Sequence, residues 1–297
     1  MIKGPWSLSA ATAVSETRIV RPVTTRPDDH PETAVSAVSL RSRLKAVAWP
    51  REHGGWGLTL EPVLLGVLVA WSVPGLLIAL AAFGAFLVRT PLKLVGVDAR
   101  RHQWRDRSVL AIRLAAAELL VVVAAAGGAI ALAGWRWLIP VAVAAPLVGV
   151  ELWYDVRSRG RRLVPELCGA IGVSATAAAI VLAERAAPAL AVAMWLVLAA
   201  RSVGAVPFVR AQVARLHRRS STVGRSDLAQ LLSVGGAAIA VAVDDRALAG
   251  AIAVGAIATA QVWSSRRPLR PIKVIGYQQM AIGLGLVVVT AIGVHLA

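Results

Sequence analysis

The chain has 297 residues, 57% hydrophobic and 5% aromatic, with 32 Lys and Arg against 16 Asp and Glu. A mean hydropathy of +0.68 excludes an ordinary water-soluble domain of this length. The net charge of +16 would suggest nucleic acid in a soluble protein, but here the basic residues alternate with long apolar runs. They therefore bear on membrane orientation and anionic headgroups, and no nucleic-acid partner is expected.

Residues 1–45 are rich in Ser, Thr, Val, Pro and Arg and lack the apolar stretch of a secretory signal. They are expected to form a mostly disordered cytoplasmic tail, with a short basic interfacial helix from Leu40 to Trp49. Residues 46–297 read as a transmembrane helical domain, an all-α polytopic bundle of about nine spans, because runs of about 17–25 apolar residues match the thickness of a bilayer core. The first span runs from about Trp56 to Trp71 and ends in the turn signal Ser72-Val73-Pro74-Gly75. The second covers about Leu76 to Leu94, and Pro91 is expected to kink or end it. The third, about Ser108 to Gly134, is long enough to tilt or protrude. The fourth, Leu138 to Val156, follows Trp135 and Trp137, read as an interfacial pair. Then come Leu163 to Ala183, Ala189 to about Phe208, Leu228 to Val243, Ala247 to Trp263 and Ile272 to Leu296, with Asp244-Asp245-Arg246 a tight polar turn between the seventh and eighth.

Loop charge tests this map. The loops after spans two, four, six and eight, with the span ends beside them, carry 18 Lys and Arg; the loops after spans one, three, five and seven carry 3. The positive-inside rule then places the N-terminus in the cytoplasm and the C-terminus outside the cell membrane. Small residues are dense at Gly169–Ala179, Gly235–Ala240 and Gly250–Ala260, which predicts close helix packing. The lone Cys168 permits no internal disulfide and reads as a small packing residue.

Polar side chains within or beside the spans are the candidate site, because lipid makes them costly. Pro50-Arg51-Glu52-His53-Gly54-Gly55-Trp56 opens span one; it reads either as an anion-binding entry with a titrating His53 or as a helix start with a Trp anchor. Arg89 and Lys93 near the end of span two either snorkel to the interface or face the bundle as an anion site. Glu151 and Asp155 are four apart and project from one helix face. That face can offer two oxygens to Mg²⁺ or pair with the basic run that follows. Tyr154, Arg157, Glu166, Arg201 and Arg210 join the same set of helix ends. Glu118 lies about 15 Å into span three and needs a partner on another helix; Glu61 sits less deep.

The stretches from Pro50 to Trp56, Arg89 to Lys93, Leu163 to Ala170, Val206 to Ala211 and Lys273 to Tyr277 resemble the YwiC-like family of bacterial integral membrane proteins over about residues 47–297. That resemblance implies a membrane class and a topology, and no particular activity. Nine spans, and Tyr154 followed by basic residues, Pro165, Glu166 and Gly169, are also distantly similar to UbiA-type intramembrane prenyltransferases. Those enzymes hold a prenyl diphosphate through Mg²⁺ on Asp-rich motifs, and this chain lacks both motifs. The leading expectation is a cavity open to the cytoplasm, lined by Arg51, His53, Arg89, Glu151, Asp155 and Arg201, that binds an anionic or polyprenyl phosphate ligand. The alternatives are a Mg²⁺-dependent prenyltransferase, and a transporter of a small solute or ion with Glu118 and Asp244-Asp245 along its path.

Overall fold

Lipid cannot hydrogen-bond a peptide group, so a chain this apolar must satisfy its backbone within each spanning segment. The computed structural model describes residues 53–104, 106–157, 162–217 and 223–297, and all regular structure there is helical. The helices are α1 (His53–Val69), α2 (Val73–Arg100), α3 (Asp106–Ala133), α4 (Leu138–Val156) and α5 (Leu163–Ala183). They continue as α6 (Pro188–Leu216), α7 (Val223–Val243), α8 (Leu248–Ser264) and α9 (Ile272–Leu296), with a 3-10 turn at Asp245–Ala247. Eight segments are long and apolar enough to cross a bilayer. The ninth, α1, has 17 residues, about 26 Å at 1.5 Å per residue. It is a member of the bundle and no surface helix, because it packs on α2, α5, α6 and α9. The tail and the Leu40–Trp49 segment lie outside the described residues.

Local chemistry sets several boundaries. The chain passes from α1 to α2 at residues 70–72, and Ser72 caps α2, its hydroxyl accepting from the Gly75 amide at 3.1 Å, with Pro74 in the first turn where no amide is needed. Pro91 does not end α2, which continues to Arg100, and α6 continues through Pro207 past the expected span end near Phe208 to Leu216. Proline is tolerated inside membrane helices because neighbours and local adjustments re-satisfy the freed carbonyl. Gly134, with φ of +77°, closes α3 in the left-handed conformation that glycine adopts without strain. Asp244 caps the 3-10 turn, accepting from the Arg246 amide and holding its guanidinium at 2.7 Å.

Burial orders the bundle. In α5 and α6, 61% of the apolar span is buried, against 17% in α3 and α4. The central pair therefore carries the core, and the others turn one face to lipid. One apolar cluster joins α1, α5 and α6 to α7–α9 through Leu65, Met194, Leu198, Val254 and Leu286. A second joins α1 and α5 to α2–α4 through Val63, Ile78, Ala129, Trp137 and Ile180. Trp137, expected at the interface, is instead a core residue at 4% exposure, whereas Trp135 is 65% exposed. The small residues of α5 permit the close approach: a Cβ on Gly172 would come within 2.8 Å of Val148. Helix α3 packs chiefly on α2 and presents Leu119, Leu120 and Val123 outward, an apolar face suited to lipid.

Candidate functional site

Two polar clusters lie toward the end of the bundle that carries the basic loops. The first bridges α2 and α4. Asp155, only 3% exposed, accepts from Arg89 Nε at 2.9 Å and Nη2 at 2.5 Å, and pairs with Lys93 Nζ at 3.4 Å. The same Arg89 Nη2 reaches Glu151 Oε1 at 2.8 Å. Glu151 and Asp155 thus converge on one point, as their spacing predicts, and a guanidinium occupies that point. The Glu151 carboxyl rests on Gly169 of α5, where any Cβ would collide with it. Among the described residues no group of three or more His, Cys, Asp or Glu is placed to hold a metal ion. As folded, Glu151 Oε1 and both Asp155 oxygens already serve Arg89 and Lys93. Beyond this cluster, Asp98 holds Arg107 at 2.9 Å and the Ser108 hydroxyl at 2.8 Å, pinning α2 to α3.

The second cluster is deeper and joins α1, α6, α7, α8 and α9. Arg201 is 4% exposed; its Nη2 donates to the Gln279 backbone carbonyl and to Gln279 Oε1, both at 3.0 Å. Gln261 donates to the same Oε1 at 3.2 Å, and Gln230 donates to Gln261 at 2.9 Å and to the Gly204 carbonyl at 2.9 Å. Ser233 closes the chain on the Ala200 carbonyl at 2.6 Å. Arg201 Nε is buried with no hydrogen-bond partner. The nearby acid is Glu61 of α1, 7% exposed, whose charge acts on Arg201 without forming an ion pair. Its carboxyl lies against Gly283 of α9, in space that a side chain there would fill.

The other sequence candidates divide. Arg210 pairs with Glu166 at 2.9 Å between α6 and α5, both half-exposed. Arg157 stacks on the exposed Trp153 ring at 3.3 Å, an interfacial cation–π contact, and Tyr154 is half-buried. Arg51 and Glu52 lie outside the described residues, and of His53 only the backbone, opening α1, is described. The expected six-residue convergence is split: Arg89, Glu151 and Asp155 meet, while Arg201 belongs to the second cluster. An apolar pocket of about 470 Å³, lined by Leu68, Val288, Ile292 and His295, lies at the opposite end of α1 and α9. Glu118 of α3 is half-buried, with its Oε2 buried and without a hydrogen-bond partner; among the described residues the expected partner on another helix is not found. Charge alone does not reveal Gln230, Gln261 and Gln279 in the sequence. Their signal is three amides inside apolar runs, each at a position that lipid would penalise.

Comparison with known proteins gives one family. Residues 49–181 match the model of the family described as YwiC-like protein. The YwiC-like stretch spans α1 to nearly the end of α5, and so contains Glu61, Arg89, Lys93, Glu151 and Asp155 but not Arg201 or the three glutamines. No curated protein and no solved structure matches the chain. The family match and the eight apolar helices agree on an integral membrane protein.

Proposed function

We propose that this integral membrane protein binds an amphiphile with an anionic headgroup, a lipid or polyprenyl phosphate. The headgroup is held at Arg201, where α1, α6 and α9 meet, toward the cytoplasmic face of the cell membrane. The observation that carries the reading is a guanidinium almost fully removed from solvent, with one N–H unsatisfied and only neutral hydrogen-bond partners. Of the other described candidate cations, Arg89 and Lys93 have Glu151 and Asp155, Arg210 has Glu166, and Arg157 stacks on the exposed Trp153 ring. A guanidinium fork matches phosphate oxygens, and an unmade bond in a low-dielectric site favours a charged acceptor. Mg²⁺-assisted prenyl transfer has less support, because Arg89 sits between the two carboxylates it needs. A transport path past Glu118 also has less support, because α3 lies at the flank of the bundle.

The test is thermal unfolding of detergent-purified protein with phosphatidic acid, phosphatidylglycerol or a polyprenyl phosphate, against phosphatidylcholine. A ligand at about 100 times its Kd stabilises by about 2.7 kcal/mol. At roughly 2–4 °C per kcal/mol, the midpoint rises by about 5–10 °C. Arg201→Lys reduces the rise and Arg201→Gln removes it. Parent protein that responds to no anionic lipid more than to phosphatidylcholine contradicts the proposal.

A further inference from the structure

Resting on that reading, we infer that the Arg201 site takes up its anion together with a proton on Glu61, so that the proton is the second ligand of the same site. The basis is charge balance in a closed space. As folded, the cluster holds one cation, Arg201, and one acid, Glu61, both buried; Gln230, Gln261, Gln279 and Ser233 are neutral. With Glu61 ionised, a monoanion arriving at Arg201 leaves one surplus negative charge among these groups. A buried uncompensated charge is strongly unfavourable, and the nearby group that can cancel it by gaining a proton is Glu61.

The surroundings of Glu61 support the assignment. Of the helices packed on α1, α5 has no titratable side chain between Cys168 and Glu184, and α2 has none before Arg89. On α6 the first is Arg201, and α9 has none between Tyr277 and His295. His53 opens α1 itself, two turns before Glu61. Arg201 is the group whose charge acts on Glu61, and the α9 residue against its carboxyl is Gly283. The carboxyl and guanidinium attract without touching, so protonation breaks no ion pair. Arg201 donates to Gln279 and the Glu61 carboxyl lies against Gly283, about one turn further along α9, so an anion that displaces the Gln279 acceptor would arrive beside both groups.

The experiment measures binding of phosphatidylglycerol, whose phosphodiester keeps one charge from pH 5 to 8, to detergent-purified full-length protein. Parent affinity is expected to rise as pH falls, by up to tenfold per unit in the linked window. Ligand added to weakly buffered parent protein is expected to take up as much as one proton per site, read with an indicator dye. Glu61→Gln is expected to bind at every pH with the affinity of the parent's acidic limit, and with no proton uptake. Binding by the parent that is flat with pH and releases or absorbs no proton overturns the inference alone. So does a Glu61→Gln variant that keeps the parent's pH slope. Absence of parent binding at every pH overturns the anion-binding reading and the inference with it. The parent's proton count decides the matter even if Glu61→Gln does not fold.

Discussion

Removing the Asp155 carboxylate should measurably weaken the α2–α4 contact. Asp155→Ala leaves Arg89 Nε and Lys93 without their acceptor, while Arg89 Nη2 keeps Glu151 at 2.8 Å. Breaking a buried pair by deleting one partner typically costs about 3–5 kcal/mol. Here both cations are partly exposed, at 26% and 39% of the side chain, so they can turn toward water and headgroups. Allowing for that and for the surviving Glu151 contact, the loss is expected at about 2–3 kcal/mol, or roughly 4–12 °C in unfolding midpoint. A double-mutant cycle of Asp155→Ala with Arg89→Ala in detergent should return a coupling of about 1–3 kcal/mol. A coupling near zero, with a midpoint moved by less than about 1 °C, would mean that the cluster is solvated at the membrane surface and does not tie α2 to α4.

Gly283→Ala should displace the Glu61 carboxyl and cost about 1–3 kcal/mol, whereas Gly127→Ala, with nothing within 4 Å, should change stability by less than about 1 kcal/mol; thermal unfolding of both separates crowding from loss of a glycine. Glu118→Gln should leave the unfolding midpoint within about 2 °C of the parent, because no hydrogen bond to its buried Oε2 is lost; a large drop would reveal a partner. The Arg246 guanidinium, hydrogen-bonded to Asp244, holds that carboxyl below its ordinary range. A depressed folded value stabilises the folded state above the unfolded aspartate value near pH 3.9, and this contribution fades as pH falls through the folded value. Asp244→Asn should remove that part of the acid sensitivity, measured as unfolding midpoint from pH 6 to 3; an unchanged acid profile would refute the assignment.

The spans were legible because hydrocarbon thickness and loop charge act on long stretches. The ends of α4, α5 and α9 fall where the apolar runs end, as Leu138 to Val156 illustrates. The ends of α2 and α6 did not, because a helix leaving the bilayer no longer needs apolar residues; Lys93 to Arg100 and Arg210 to Leu216 stay helical with charged side chains. Glu151 and Asp155 were readable as one face from their spacing, but not that Arg89, more than sixty residues earlier, would lie between them. Small residues foretold close packing without saying which ones touch. Gly250 admits Thr290 and Val197 of neighbouring helices, while Gly255 faces open space. The glutamine chain was hidden because an uncharged amide in an apolar run carries little weight until three helices bring three of them together.

The account depends most directly on an odd number of crossings with the basic loops in the cytoplasm. Replacing the lone Cys168 and then placing single cysteines by Arg101→Cys, Arg246→Cys, Arg267→Cys and Ala297→Cys allows labelling with a membrane-impermeant maleimide. Positions 246 and 297 are predicted to react in intact cells, and 101 and 267 only after the membrane is opened. Equal labelling of 267 and 297 in intact cells would contradict the account.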